Sequence, residues 1–262
     1  MDETSPAPPA PPAASHRISP IAPLMLVAWL GLAWALDTLA AAPGLVTFAF
    51  VALGWTLAVM VHEFGHAAVG YLAGDHTVAD KGYLTLDPRR YADFGVTLVI
   101  PLIALAVGGI GFPGGAVYLR NDLMRSRLWR SAAALAGPAG TLVVLAGLSA
   151  VLEFWTPPPG QGQALADALA VLAFLQATAL ILNLLPVPGL DGYGVIRPFM
   201  PEALARAARP VEGLAMVGLL VLLLFVPGAS ALLIGAAFAL MHALGVPPDP
   251  IIDGWRAFHF WG

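Results

Sequence analysis

The sequence contains one run of residues whose types and spacing are suited to metal chemistry, His62-Glu63-Phe64-Gly65-His66, an H-E-x-x-H pattern. Residues four positions apart share one face of an α-helix, so His62 and His66 can direct their imidazoles at a single ion. Glu63 lies beside them and can act as a general base toward an attacking water. The run therefore predicts a hydrolytic zinc site, although short motifs also occur on ordinary solvated helices.

The surroundings of this motif are unusually apolar. Of the 262 residues, 59% are hydrophobic and 11% are charged, and the mean hydropathy is +0.81. Soluble domains are about half apolar and a quarter charged, so the composition indicates an integral membrane protein. An ionisable residue at the bilayer centre costs roughly 2.5–3.5 kcal/mol on insertion scales and is functional by default. Three such residues within five positions therefore favour a metal site over a solvated helix face.

Zinc held by two histidines needs a third protein ligand. The chain has no cysteine, so that ligand must be nitrogen or oxygen. The acids close to apolar segments are Asp37, Glu153, Asp191 and Glu212. Asp191 stands out because Pro186 and Pro188 break the helix before it, whereas the other three fall near predicted helix ends where water can solvate them.

The second motif is Asn183-x-x-Pro186-x-x-x-Leu190-Asp191-Gly192. Together with H-E-x-x-H it resembles the paired signature of the site-2 protease family of intramembrane metalloproteases. The resemblance implies that Asp191 is the third zinc ligand and that Asn183 holds the substrate strand or the developing oxyanion. An asparagine near a broken helix end can instead cap freed backbone groups, so this alternative stays open for Asn183.

Two shorter segments also resemble this family, and the resemblance as a whole covers about residues 45–200. The run 112–115 (FPGG) is similar to a glycine-rich re-entrant segment of relatives, which implies substrate contact at Gly114 and Gly115. The run 136–141 (AGPAGT) is similar to the family's G-P-x-x-N motif, but Thr141 stands at the position of the usual asparagine.

The apolar runs predict an all-α membrane protein with about six transmembrane helices, near 21–42, 45–73, 132–153, 165–187, 211–226 and 229–245. A further apolar run, 96–112, leads into glycines and a proline that suit a lipid-facing helix poorly. We therefore interpret 96–119 as a re-entrant segment that could contain a short β-hairpin. Residues 1–20 are expected to form a disordered cytoplasmic tail, 21–246 the membrane domain, and 247–262 a cytoplasmic interfacial tail.

The basic residues orient this arrangement. The first apolar run could be a cleaved signal peptide, but its N-terminal flank is not basic, which favours a retained span. With 96–119 re-entrant, all twelve Lys and Arg residues then lie on one side, as the positive-inside rule prefers. Both termini are therefore expected in the cytoplasm of a bacterial cell, with the zinc site nearer the cytoplasmic face. The net charge of −4 gives no indication of nucleic acid binding.

These observations predict an intramembrane zinc metalloprotease that cleaves within or next to the transmembrane segments of membrane-embedded protein or peptide substrates. The re-entrant segment would pair with the unwound substrate through backbone hydrogen bonds. Two alternatives stay open. A membrane metal transporter would be expected to repeat its ligands along a permeation path, and a non-catalytic relict would not need an intact Glu63.

Overall fold

The structure of the protein, a computed structural model, describes residues 18–38, 44–91, 117–158, 161–208, 210, 212–226 and 228–261. Every regular element in these ranges is helical, so the predicted all-α fold is confirmed. Residues 1–17 of the predicted tail and most of the predicted re-entrant segment, including Gly114 and Gly115, lie outside the described residues.

The described helices, numbered in chain order, are α1 (Ile21–Thr38), α2 (Gly44–Ala73), α3 (Thr77–Asp80), α4 (Arg127–Phe154), α5 (Gln163–Asn183), α6 (Asp191–Ile196), α7 (Glu202–Ala208), α8 (Glu212–Phe225), α9 (Ala229–Ala243) and α10 (Pro248–Phe258). Single 3-10 turns lie at Tyr83–Thr85, Pro88–Arg90 and Arg197–Phe199.

Four of these helices, α1, α2, α4 and α5, are long and apolar enough to cross a membrane. The fifth and sixth predicted spans form α8 and α9, which have 14 and 15 residues. At 1.5 Å per residue such helices rise only about 21–23 Å, less than the roughly 30 Å of a bilayer's hydrocarbon core. The six-span prediction is therefore confirmed only for these four helices.

Small residues bring α2 and α4 close together beside the H-E-x-x-H turn. Gly65 faces the backbone carbonyl of Ala136, and a Cβ added at Gly140 would lie 3.0 Å from the carbonyl oxygen of Val61. Glycines at such positions let helix backbones approach closely within membranes. Helix α5 packs against both helices and is the most enclosed of the four, with 83% of its apolar window buried.

The helices form a bundle with two ends, and the end that carries the catalytic motifs is called the motif end here. At the motif end the backbone N–H of Ser19, before α1, donates to Thr85 O at 2.7 Å. The N–H of Arg125 donates to Ala73 O at 3.0 Å, which joins the start of α4 to the end of α2. At the opposite end, called the far end, the N–H of Gly162 donates to Asp37 O at 3.2 Å.

The C-terminal helix α10 lies at the far end. Phe258 is fully buried and stacks on Phe48 of α2 with ring centroids 5.2 Å apart. Gly254 packs against the backbone of Asp167, close to the start of α5. Within the predicted interfacial tail, Phe258 is therefore a core residue, whereas Phe260 and Trp261 are half exposed.

The path of α8 and α9 explains this position of the C-terminus. Leu223 near the end of α8 and Leu233 near the start of α9 both cluster with Leu182, in the last turn of α5. From there α9 runs back along α5, with the rings of Phe174 and Phe238 4.8 Å apart. The chain thus reaches the far end through α9, which differs from the sequence-based placement of both termini on one side.

Candidate active site

Three of the predicted site residues meet at one point. His62 Nε2 lies 3.1 Å from His66 Nε2, and the two carboxylate oxygens of Asp191 each lie 3.2 Å from one of these nitrogens. Tetrahedral zinc with ligands at about 2.0–2.1 Å places neighbouring ligand atoms roughly 3.3 Å apart. The spacing of the three side chains therefore fits three ligands of one tetrahedral ion.

The outer nitrogens of both imidazoles are held by α4. His66 Nδ1 lies 2.7 Å from Ala133 O, which can only accept, so Nδ1 carries a proton and Nε2 is the nitrogen left to bind a metal. His62 Nδ1 lies 2.9 Å from the hydroxyl of Thr141, which is 3% exposed. Such contacts to the second ring nitrogen orient metal-ligating histidines in general.

The chemistry of this group favours a cation at its centre. His66 Nε2, His62 Nε2 and the Asp191 carboxylate meet at close range, an arrangement that a cation bound between them would stabilise. Asp191 Oδ2 is buried and has no hydrogen-bond partner among the described residues. Among those residues, His62, His66 and Asp191 are also the group of acids and histidines that could hold a metal ion.

Gly137 of α4 provides the space for this centre. A Cβ at Gly137 would collide with His66 Nε2 and would lie 2.6 Å from His62 Nε2. The residue was part of the motif at 136–141, but its role as the wall behind both imidazoles depends on how closely α4 approaches α2. Spacing along the sequence alone does not reveal that contact.

The loop after α5 delivers Asp191 to the histidines. Gly189 has φ of 98°, a left-handed conformation that glycine adopts without strain. Gly192 lies directly against the carbonyls of Leu184 and Leu185, where no side chain fits. The Ser131 hydroxyl of α4 donates to Val195 O at 2.6 Å, which fixes α6. The loop thus folds back over the end of α5 with Asp191 as the first residue of α6.

Glu63 is buried and held by a backbone donor. It is 2% exposed, and the N–H of Val117 donates to its Oε2 at 3.1 Å. Its other oxygen, Oε1, makes no hydrogen bond with the described residues. The segment that starts at Val117 is anchored further along, where the N–H of Arg120 donates to Asp75 Oδ2 at 2.7 Å. Sequence reasoning missed Val117 because a backbone amide has no side-chain signature.

These residues face a cavity of about 900 Å³. Its walls include the metal-site residues, Glu63 and Asn183, and its rim carries the charged residues Asp122, Arg127, Arg130, Arg197 and Glu202. Asn183 is 6% exposed, and its side chain makes no capping hydrogen bond with the described residues. The capping alternative considered for Asn183 therefore has no support in the described part of the chain.

Known proteins of similar sequence carry names that agree with a zinc site. The chain is 39% identical over 254 residues to a protein of Mycolicibacterium smegmatis named as a zinc metalloprotease, Rip2, and the match covers 94% of this chain and 95% of the relative. Rip2 of Mycobacterium tuberculosis H37Rv is 41% identical, with 82% and 81% covered. YwhC of Bacillus subtilis, also named as a zinc metalloprotease, is 30% identical, with 62% and 74% covered. This chain belongs to the site-2 protease family.

The family predicted from the sequence motifs is therefore confirmed, and so is zinc as the predicted cofactor. The activity that follows is that of a metalloprotease, and the metal transporter alternative is not favoured. No family model and no solved structure matches the chain. The likeness therefore rests on whole-chain sequence identity, and the geometry of His62, His66 and Asp191 adds independent support for a metal site.

Proposed function

We propose that this site-2 protease hydrolyses peptide bonds within or next to the transmembrane segments of membrane proteins. The observation that carries the proposal is the place of the metal site. His62, Glu63 and His66 lie in α2, a helix of 30 residues that is long and apolar enough to cross a membrane. The cavity in front of them also reaches Trp55 and Gln176, which are deeper in apolar helices. A peptide bond cut there belongs to a membrane-embedded segment.

We assign His62, His66 and Asp191 as the zinc ligands and Glu63 as the general base. Zinc, when bound, supplies Lewis-acid activation of the water and of the scissile carbonyl. Val117 holds Glu63 through Oε2, which leaves Oε1 to take the proton from the attacking water. Glu63 then gives a proton to the leaving amine.

Asn183 supports the same reaction from α5. Its uncapped side-chain amide lines the cavity and is assigned to the oxyanion or to the substrate strand next to it. Gly114 and Gly115 are assigned to the substrate strand as part of a re-entrant 96–119 segment. Support for that placement comes from Val117, which lies in this segment two residues after Gly115 and donates its backbone N–H to Glu63.

We place the motif end at the cytoplasmic face of a bacterial cell membrane. Every described Lys and Arg except Arg256 lies at the motif end, as the positive-inside rule prefers for the cytoplasm. In this orientation α1 begins in the cytoplasm, α10 lies on the outer face, and the cut falls in the cytoplasmic half of the substrate span.

Replacement of Glu63 by Gln tests the proposal. The variant retains all three metal ligands and the acceptor for Val117, so it should bind zinc but lose proteolysis. Membrane proteomes of cells with wild-type and Glu63→Gln protein should then differ by intact substrates that accumulate only with the variant. If zinc flux across the membrane changed and no membrane protein accumulated, the protease assignment would be wrong.

A further inference from the structure

Two residues that line the active-site cavity each carry a buried side-chain donor without an acceptor among the described residues. Trp55 of α2 is 2% exposed and Gln176 of α5 is 3% exposed, and both line the cavity. Neither Trp55 Nε1 nor Gln176 Nε2 has a hydrogen-bond partner among the described residues. A buried donor that stays unsatisfied is destabilising, and each such case in a native protein requires an explanation.

The two donors occupy equivalent places relative to the catalytic residues. Trp55 precedes His62 by seven residues in α2, and Gln176 precedes Asn183 by seven residues in α5. Seven residues are about two helical turns, so each pair shares one helix face with roughly 10 Å between its members. Both helices run from the far end to the motif end. Trp55 and Gln176 therefore lie on the same side of the catalytic residues, toward the membrane interior.

We propose that Trp55 and Gln176 form a subsite that donates hydrogen bonds to main-chain carbonyl groups of the unwound substrate. The proposal rests on the proposed function. An extended strand rises about 3.3 Å per residue, so a distance of roughly 10 Å corresponds to carbonyls about three residues from the scissile bond. The same amide of Gln176 can also accept from a substrate N–H.

Unwinding explains why such donors are needed. A transmembrane helix satisfies its own carbonyls, and unwinding within the membrane exposes them where little water is available to replace the lost bonds. Donors supplied by the enzyme offset this cost for the extended conformation only. Because main-chain groups are common to all sequences, the subsite recognises an unwound backbone rather than particular side chains.

The test uses the full-length protein in detergent micelles with a synthetic single-span peptide of Leu and Ala that carries a central Gly-Ser pair. Gln176→Leu removes one donor with little change of volume, and Trp55→Phe removes the other but replaces the indole by a smaller ring. Ser149→Ala is the matched control, since Ser149 Oγ is also buried and unpartnered but lies outside the described lining of the cavity. Zinc content and thermal unfolding are measured for every variant.

We expect kcat/KM of the two donor variants to fall roughly five- to tenfold through a higher KM, as for the loss of one net hydrogen bond. Zinc content should stay unchanged. In the Glu63→Gln background, which binds without cutting, the peptide Kd should rise by the same factor. Single amides of the peptide near the cleaved bond are also replaced by esters, because an ester carbonyl is a weaker acceptor. Each such peptide should bind the parent protein less tightly, and the replacement should cause no further loss of binding to Gln176→Leu.

Peptide binding by Gln176→Leu and Trp55→Phe equal to that of the parent would overturn the subsite, and would indicate that water satisfies both donors. The subsite would also be overturned if Ser149→Ala lost as much affinity for the peptide as the two donor variants. Binding to the Glu63→Gln background is measured without cleavage. A wild-type protein that bound the peptide but did not cut it would therefore count against the proposed function and not against the subsite.

Discussion

A single methyl group at Gly137 should greatly weaken zinc binding. A Cβ there would lie 2.6 Å from His62 Nε2 and would collide with His66 Nε2, although real Cβ contacts essentially never fall below 3.0 Å. His62 Nε2 must therefore retreat by about 0.4 Å. Zinc–ligand distances tolerate deviations of only about 0.2 Å, and a shift of α4 away from α2 would open the close packing of the two helices at Gly65 and Gly140.

The expected effect of Gly137→Ala is a loss of zinc affinity of about 100-fold or more, equivalent to about 2.7 kcal/mol. The assay is competition for zinc against a calibrated chelator with purified protein, with thermal unfolding measured in parallel. Gly147→Ala in the same helix is the matched control, since a Cβ at Gly147 meets nothing within 4 Å. This control should bind zinc normally and gain about 0.5–1 kcal/mol of stability from the higher helix propensity of alanine. Equal zinc affinity of Gly137→Ala and Gly147→Ala would refute the reasoning.

Three further predictions follow from other contacts. Thr141→Val removes the hydroxyl beside one ligating histidine, so zinc affinity should fall about tenfold, whereas Thr141→Ser keeps a hydroxyl and should bind zinc like the wild type. Chelator competition measures both affinities, and equal values for the valine and serine variants would contradict the prediction. Hydrogen bonds from the Arg89 side chain hold the pKa of Asp87 below its ordinary value of 3.8. The ion pair should therefore stabilise the fold fully above pH 3.8, and this stabilisation should disappear as the pH falls through the lowered pKa of Asp87. Wild type and Asp87→Asn should then have the same Tm at a pH below the lowered pKa. A difference in Tm that persisted there would be inconsistent with the contact. The chain has no cysteine, so a single introduced cysteine reports on which side of the membrane its residue lies. On intact cells an impermeant maleimide should label Asp253→Cys on α10 and should not label Asp80→Cys. The reverse labelling pattern would contradict the proposed orientation.

The local parts of the site could be predicted from the sequence because their geometry is local. His62 and His66 share a helix face at any i, i+4 spacing, and prolines mark the break in front of Asp191. Groups that depend on tertiary approach could not be predicted. The carbonyl of Ala133 carries no side-chain signal, and neither does the amide of Val117.

The sequence-based topology and the structure differ toward the C-terminus, for a physical reason. Hydropathy indicates whether a segment is stable in an apolar environment. It carries no information about whether the segment crosses the membrane or about the direction in which it runs. The apolar run at 211–226 was interpreted as a crossing, but α8 is short and ends beside Leu182 at the motif end. Residues 247–262 are predicted as an interfacial tail, whereas Phe258 packs into the core because α10 lies against α2 and α5.

The central claim is that Glu63 drives peptide hydrolysis at a zinc site within the membrane. The most direct measurement compares wild-type and Glu63→Gln protein, both checked for zinc, on reconstituted membrane substrates whose new chain ends are mapped by mass spectrometry. We predict equal zinc content, and new ends in the cytoplasmic half of a transmembrane segment with the wild-type protein only. Cleavage by Glu63→Gln at the wild-type rate, or wild-type cuts confined to soluble segments, would contradict the account.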